Sequence, residues 1–197
     1  MIKIGLTGSI AVGKSFVLSI FKTEYNIPVF SSDECVREIY RHNAGLNNFI
    51  KEEILESDNE FSNEDIANIV FKDSTKLEKL ENYIHPLVKI ERDNFINQEL
   101  NKKSKFVVIE VPLLFEKNLE HEFDKIILVD VTEDIQEKRA LLRKNMSKEK
   151  YLAIKANQIP NSEKINRSDF IIDNHDEAKT RDHIEKIVKE LNKLVSI

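Results

Sequence analysis

The sequence predicts an α/β fold, a parallel sheet of five strands covered by helices. Five short apolar segments alternate with segments whose apolar residues recur at helical spacing, a pattern typical of βαβ units. Three of the chain's four glycines lie within the first 13 residues, directly after the first apolar segment begins. Because glycine adopts backbone conformations that other residues avoid, this concentration indicates a specialised turn.

Length, charge and cysteine content narrow the class of protein. The 197 residues suit one compact unit with room for an inserted subdomain. A formal net charge of -5 argues against a broad nucleic-acid or anionic-membrane surface, so we expect neither partner. The single cysteine, Cys35, excludes an internal disulfide framework and suits a reducing compartment. We therefore expect a cytoplasmic protein.

The first elements flank the glycine-rich turn. Residues 2–6 form a short apolar strand, and residues 15–22 carry apolar side chains at helical spacing. Residues 28–30 are a second predicted strand. The polar run 31–33 supplies cap chemistry for the helix that follows.

A long helical insertion comes next. From residue 46 to residue 100 the apolar pattern has a period near 3.6, with breaks at residues 58–59 and at His85-Pro86. Proline at the first helical position loses no hydrogen bond that the helix needs. We therefore expect Pro86 to begin a new helix.

The second half of the chain returns to strands. Residues 106–109 and 125–129 are predicted buried strands that end at Glu110 and Asp130, and each is expected to lead into a helix, the second over residues 133–144. The remaining predicted elements are a charged, mostly helical stretch at 145–164, a last strand at 169–172 and an amphipathic helix at 177–194.

Residues 8–15 carry the strongest chemical signal. They read Gly8-Ser9-Ile10-Ala11-Val12-Gly13-Lys14-Ser15 and fit the P-loop pattern G-x-x-x-x-G-K-[ST] between a strand and a helix. The turn allows backbone N–H groups to surround phosphate oxygens at a helix N-terminus. Lys14 can then reach the β- and γ-phosphates of ATP, while the Ser15 hydroxyl ligates Mg²⁺. We expect a three-layer sandwich of the P-loop NTPase type that binds ATP through residues 8–16, Phe16 included; an ordinary helix-capping turn is the alternative.

Missing motifs exclude transporter-type ATPases and argue against a GTPase. Transporter-type ATPases need a second glycine-rich signature, but no glycine follows Gly45. A GTPase needs Asn-Lys-x-Asp after a strand, whereas residues 101–104 lack the acid and precede a strand. The remaining class is a small phosphotransferase. In such an enzyme, residues 31–103 would bind the acceptor, residues 140–164 would form a lid, and residues 1–30, 104–139 and 165–197 would form the nucleotide-binding core.

Charged residues near predicted strand ends are candidates for chemistry, because ligands of open α/β sheets bind there. Asp33 could take a proton from an acceptor hydroxyl or could cap a helix. Glu110 could hold a magnesium-bound water or be a charge tolerated at a strand exit, and Asp130 is expected to be a capping or packing residue. Away from the strand ends, Arg139, Arg143 and Lys144 cluster where the predicted helix 133–144 meets the charged stretch, as expected of a lid; they could neutralise a transferring phosphoryl group or form a solvated helix face.

Further motifs follow the P-loop along the chain: Asp33 with Arg37-Glu38, Ile69-Val70-Phe71 with Asp73, Leu80-Glu81, His85-Pro86, Val111–Glu116, Gln136, Arg139, Arg143, Gln158 and Asp169–Asn174. Together with the P-loop, and in this order, they resemble the dephospho-coenzyme A kinase family from Ile4 to about Asp176. The resemblance implies transfer of the ATP γ-phosphoryl group to the ribose 3′-hydroxyl of dephospho-coenzyme A. Another nucleoside or nucleotide kinase, or an ATP-binding module without turnover, are the alternatives.

The resemblance also implies roles for single residues. The implied catalytic residues are Lys14, Asp33 and Arg139, the further nucleotide contacts are Arg143 and Asn174, and the acceptor contacts are Asp33, Arg37, His85, Pro112, Leu113 and Glu116. This sequence departs from the family where Ser9 and Ala11 replace usual glycines and Asn63 replaces a frequent arginine. His175-Asp176 replaces a pair of small residues, and the lid lacks a common arginine near residues 153–154.

Overall fold

A computed structural model describes residues 1–195 and places five strands in one sheet, in the order β2-β3-β1-β4-β5. The strands are β1 Ile2–Thr7, β2 Val29–Ser31, β3 Phe106–Glu110, β4 Lys125–Asp130 and β5 Phe170–Asp173. The four pairings that join them are parallel. The predicted α/β class and five-stranded parallel sheet are confirmed, and each strand begins and ends within one residue of its predicted bounds.

The helices occupy the intervals between the strands. They are α1 Lys14–Thr23, α2 Ser32–His42, α3 Ala44–Phe49, α4 Asn63–Val70, α5 Ser74–Asn101, α6 Glu133–Leu141, α7 Lys148–Ala156, α8 Asn161–Asn166 and α9 Glu177–Leu194. A π-helical segment, Ile50–Leu55, continues α3. No helix within residues 1–195 is long and apolar enough to cross a membrane.

The chain divides into two compact units. The first, called here the P-loop unit, contains residues 1–31 and the chain from Gln98 onward, and the second, the helical unit, is Ser32–Asn97.

The core of the P-loop unit lies on both faces of β1. Ile4 and Leu6 are fully buried and pack in one cluster with apolar residues of α1 and α9. On the opposite face, a Cβ at Gly5 would lie 2.8 Å from the Leu114 side chain and 3.0 Å from Phe123. Glycine at this position therefore allows the segment after β3 to pack directly on β1.

The helical unit has its own core. Leu46, Ile50 and Ile54 are fully buried and pack with Ile66 and with apolar residues of α5. Helix α4 begins with a capping box, in which Ser62 and Asp65 exchange side-chain and backbone hydrogen bonds.

Three predicted features of the helices are wrong. Pro86 lies inside α5 and does not begin a new helix. An internal proline costs one backbone hydrogen bond. Leu80 and Ile84, on the same helix, are buried in the core of the helical unit, and their packing offsets the loss of this hydrogen bond.

The second error is the helix expected after β3. Residues 111–119 form successive turns instead, and only Glu120–Glu122 form a short 3₁₀ helix. Helix α6 also ends at Leu141, three residues before its predicted end at 144.

Candidate nucleotide-binding site

The P-loop connects β1 to α1, and two of its glycines are required by the backbone. Gly8 and Gly13 have φ values of 150° and 94°, which side-chain-bearing residues rarely adopt. A Cβ at Gly13 would also lie 2.1 Å from Nδ2 of Asn174. Gly13 is the N-cap of α1, so the helix N-terminus faces the loop that the sequence assigns to phosphate.

Side-chain amides hold the loop in shape. Gln136 Nε2 donates to the Ile10 carbonyl at 2.8 Å, and the Ile10 N–H donates to Gln158 Oε1 at 3.1 Å. Asn174 Nδ2 donates to the Val12 carbonyl at 2.7 Å. Because these bonds fix polar groups of Ile10 and Val12, the loop has its conformation before a ligand binds.

The reactive side chains of the motif lie at the loop and at the start of α1. Lys14 Nζ donates to the Gly8 carbonyl at 2.8 Å and to the Ser9 carbonyl at 3.2 Å, which holds its ammonium group against the loop. Ser15, in the first turn of α1, is exposed.

Ser9 and Ala11 each contact a helix of the predicted lid. Ala11 is buried with a positive φ of 60°, and it packs in one cluster with Ile10, Ala140 and Tyr151 of α7. Ser9 Oγ donates to Asn161 Oδ1 of α8 at 2.8 Å. Both departures from glycine therefore bring side-chain contacts that glycine cannot make.

Three predicted nucleotide contacts, the predicted catalytic residue Arg139 and residues of the segment after β5 line one cavity of about 320 Å³. They are Gly13, Phe16, Arg139 and Asn174, together with His175, Asp176 and Glu177. Arg139 Nη2 donates to the Asn174 carbonyl at 3.0 Å, which aims its guanidinium across the cavity from α6. Arg143 and Lys144 lie beyond the end of α6 and are exposed, so the structure does not bring them into this cavity.

Two acids lie at the carboxyl ends of strands beside β1. Glu110 is fully buried and accepts a hydrogen bond from Ser31 Oγ at 2.6 Å. Asp130 accepts one from Asn161 Nδ2 at 2.7 Å, and burial raises the pKa of its carboxyl. Within residues 1–195, no group of three or more His, Cys, Asp or Glu side chains is arranged to hold a metal ion.

Glu116 is largely buried and forms an ion pair. Its Oε1 lies 2.8 Å from Lys164 Nζ and also accepts a hydrogen bond from the Ile159 N–H at 3.1 Å. Pro112 and Leu113 are half-buried in the turns that precede it. Sequence reasoning missed Lys164, because nothing in the charged stretch 145–164 distinguishes a buried lysine from its exposed neighbours.

The other predicted acceptor contacts lie in the helical unit. Arg37 and His85 line a cavity of about 580 Å³ together with Asn63 and mostly apolar side chains of α2, α4 and α5. Asp33 is exposed in the first turn of α2, which begins at Ser32. The alternative in which Asp33 is the N-cap is therefore wrong, because the residue lies inside the helix.

A parallel α/β sheet whose first strand runs through a P-loop into a helix, with an inserted helical unit, defines a P-loop kinase. The model of the dephospho-CoA kinase family matches residues 2–180. The chain belongs to the dephospho-CoA kinase family, and the resemblance found in the sequence is confirmed.

Individual relatives agree with the family model. The chain is 36% identical to dephospho-CoA kinase of Bartonella henselae over 192 residues, which cover 96% of this chain and 98% of the relative. The crystal structure of a Thermus thermophilus protein has a TM-score of 0.77 and 28% identity, covering 96% of both chains. Dephospho-CoA kinase from Campylobacter jejuni has a TM-score of 0.69 and 25% identity, covering 97% of both chains.

Proposed function

We propose that the protein transfers the γ-phosphoryl group of ATP to the ribose 3′-hydroxyl of dephospho-CoA, giving CoA and ADP. The observation that carries the proposal is the family match over residues 2–180, because it includes most of the P-loop unit and the whole helical unit. A match confined to the P-loop unit would support only nucleotide binding.

ATP is held, in this proposal, by residues 8–16. The backbone N–H groups of the loop and the N-terminus of α1 surround the β-phosphate, and Lys14 neutralises charge on the β- and γ-phosphates. The nucleoside lies towards the cavity that contains Phe16, Arg139 and Asn174. Gly13 of the P-loop lines one side of this cavity, and residues of α6 and α9 line the other. Arg143 is the remaining predicted nucleotide contact, and it would reach the nucleotide when residues 140–164 act as a lid.

Mg²⁺ belongs to the proposal, and the side chains around the loop suit it. The exposed Ser15 hydroxyl and the buried carboxylate of Glu110 are oxygen ligands of the kind that Mg²⁺ prefers, and Glu110 is in register with Leu6, two residues before Gly8. When bound, the ion would neutralise negative charge on the phosphate oxygens. Ser15 would hold it directly, and Glu110 would hold one of its waters.

The chemical step is assigned to Asp33 and Arg139. Asp33 follows β2 by two residues, and its exposed carboxylate can accept the proton of the 3′-hydroxyl as that oxygen attacks the γ-phosphorus. Arg139 stabilises charge on the transferring group, because its guanidinium lies beside Gly13 in the nucleotide cavity.

The acceptor is assigned to the predicted domain 31–103. Arg37 supplies positive charge for the diphosphate of dephospho-CoA, while the apolar walls of the helical-unit cavity suit an uncharged part of that molecule. His85 lines the same cavity, and Pro112, Leu113 and Glu116 are the further predicted acceptor contacts.

A cytoplasmic location is also part of the proposal. It is supported by the single cysteine, which suits a reducing compartment.

The proposal is tested by ADP release from ATP and Mg²⁺ with a panel of acceptors. The panel is dephospho-CoA, nucleoside monophosphates, nucleosides and pantothenate, with CoA identified by mass. We expect turnover with dephospho-CoA alone, and its loss when EDTA removes Mg²⁺. Turnover only with a nucleoside or its monophosphate would assign another acceptor, and ATP binding without turnover on any acceptor would make the protein a binding module.

A further inference from the structure

A charged pair is buried beside the P-loop. The Lys164 side chain is 0% exposed and that of Glu116 is 10% exposed, and Lys164 Nζ lies 2.8 Å from Glu116 Oε1. Removing two charges from water is costly, and such a pair seldom adds net stability over an apolar pair of the same volume. A role other than stability would account for its presence.

The pair is joined to the P-loop through one hydroxyl. Lys164 Nζ donates to Ser9 Oγ at 3.2 Å, and the same hydroxyl donates to Asn161 Oδ1 at 2.8 Å. Asn161 Nδ2 in turn donates to Asp130 Oδ1 at 2.7 Å. The Ser9 hydroxyl therefore has both an acceptor and a charged donor, each from the segment 161–164.

The ends of this network lie on opposite sides of the P-loop. Glu116 belongs to the turns after β3, and Asp130 is the last residue of β4. The strand order places β1 between β3 and β4, and β1 leads into the P-loop. Five side chains thus form a series of contacts from the turns after β3 to the end of β4, and Ser9 of the loop lies at its centre, held by Lys164 and Asn161.

We propose that Lys164 and Glu116 are positioning residues for the phosphoryl donor. Glu116 orients the Lys164 ammonium, which with Asn161 fixes Ser9 and hence the start of the loop that binds the β-phosphate. The inference rests on the proposed function only in naming ATP as the donor. It gives Glu116 a role on the nucleotide side, whereas the family resemblance implies contact with the acceptor.

The test compares four variants by nucleotide affinity and by thermal unfolding. Ser9→Ala removes the hydroxyl alone, Lys164→Met and Glu116→Gln each remove one charge, and the double variant removes both. Lys148→Met is the matched control, because Lys148 lies exposed in the neighbouring helix α7 and forms an ion pair with Glu137 of α6. The measurements are the Kd of ADP by calorimetry, the KM of ATP and of dephospho-CoA, and the Tm.

Ser9→Ala is expected to raise the ADP Kd and the ATP KM about fivefold, which is the ordinary effect of losing a hydrogen-bonding group. Its KM for dephospho-CoA and its Tm should stay near those of the wild type. Lys164→Met leaves a buried carboxylate without its partner, so its Tm should fall by about 10 °C. The double variant should recover most of that Tm and still bind ADP about fivefold more weakly, because the bond to Ser9 is absent.

Recovery of both Tm and ADP affinity in the double variant would make the pair purely structural and would overturn the proposal. A rise confined to the KM of dephospho-CoA in Glu116→Gln would return Glu116 to the acceptor side. If the single charge variants do not fold, Ser9→Ala and the double variant decide the question. Wild-type protein that binds ADP but does not turn over dephospho-CoA would contradict the proposed function. The ADP Kd values of the variants would still test the positioning role of Lys164 and Glu116.

Discussion

Lys14 is the single residue on which turnover should depend most. Its ammonium group donates hydrogen bonds to the Gly8 and Ser9 carbonyls, and phosphate oxygens can replace these carbonyls as acceptors when ATP binds. We expect Lys14→Ala to lower kcat about 10²–10³-fold, as for a lost preorganised donor, with Tm nearly unchanged. ADP release with dephospho-CoA is the measurement, and Lys22→Ala, at the exposed end of α1, is the control. A variant within about threefold of wild type would contradict the assignment of the P-loop.

Asp33→Asn tests the proton-accepting role. Asparagine fills the same space but cannot take the proton of the 3′-hydroxyl, so kcat should fall by about 10²–10³. The KM of ATP should hardly change. A first-turn acid also interacts with the helix dipole, which is worth only about 0.3–1 kcal/mol of stability.

The control for Asp33 is Glu34→Gln, because Glu34 is the other acid in the first turn of α2. The two variants share the dipole effect and differ in the proposed proton transfer. Equal kcat values in both would leave Asp33 with a helix-stabilising role, and the acceptor-side base would then be another residue.

The P-loop could be predicted residue by residue because its signal is local, eight consecutive positions between a strand and a helix. The groups that hold it could not be derived this way. Asn161 and Lys164 reach Ser9 across 152 and 155 positions of the chain, and no spacing rule connects such positions. Gln136, Gln158 and Asn174 entered only through the family resemblance, and their contacts with the loop backbone required the structure.

At the scale of elements, helix α7 was expected within the stretch 145–164, but its packing was not. Its stretch is charged and weakly amphipathic, yet Tyr151 is fully buried in a cluster with Ile10, Ala11 and Ala140. Two of these partners, Ile10 and Ala11, lie about 140 positions away in the P-loop, so helical periodicity within α7 could not reveal them. Pro86 shows the opposite error. The local rule for proline predicted that a new helix begins there, but packing along α5 keeps the helix continuous through this residue.

Tyr151→Ala should loosen α7 from the P-loop. Truncating a buried aromatic side chain costs about 3–5 kcal/mol, so hydrogen-exchange protection of the α7 amides should fall at least about 100-fold. Protection in β1 and β3 should remain, because neither strand contributes to this cluster. We also expect a higher KM for ATP. Leu152→Ala is the control, since its side chain on the same helix is 49% exposed. Equal protection in both variants would contradict the packing of a lid helix on the loop.

For the whole molecule, the alternation of strands and helices was sufficient to predict the class and the five strands. It was not sufficient to predict their order, because β1 pairs with β3 and β4, which lie about 100 or more positions away. Apolar strands such as Val107–Ile109 fit any interior position of a parallel sheet equally well. The helical insertion between β2 and β3 was predictable for the opposite reason, since its period near 3.6 persists over more than 50 residues.

Global stability should depend on pH through Asp173, at the end of β5. Burial raises the pKa of this carboxyl, but hydrogen bonds from Lys179 and His175 outweigh it and lower the pKa from 3.8 to about 2. Asp130 also faces it and opposes the lowering. A lowered pKa in the folded state means that the ionised form stabilises the fold. The contribution, at most roughly 2 kcal/mol, is present above pH 3.8 and is lost as the pH falls through about 2.

Urea unfolding of wild type and Asp173→Asn at a series of pH values measures this contribution. The difference in unfolding free energy should be constant near pH 6 and should fall to about half of that value at pH 3, because the carboxyl becomes protonated first in the unfolded chain. Asp182→Asn is the control. Asp182 pairs with Lys186 on the exposed face of α9, where solvent screens the interaction, so its difference should be small at every pH. A difference for Asp173→Asn that stays constant or grows on acidification would show that its ion pair with Lys179 does not join β5 to α9 in the folded protein.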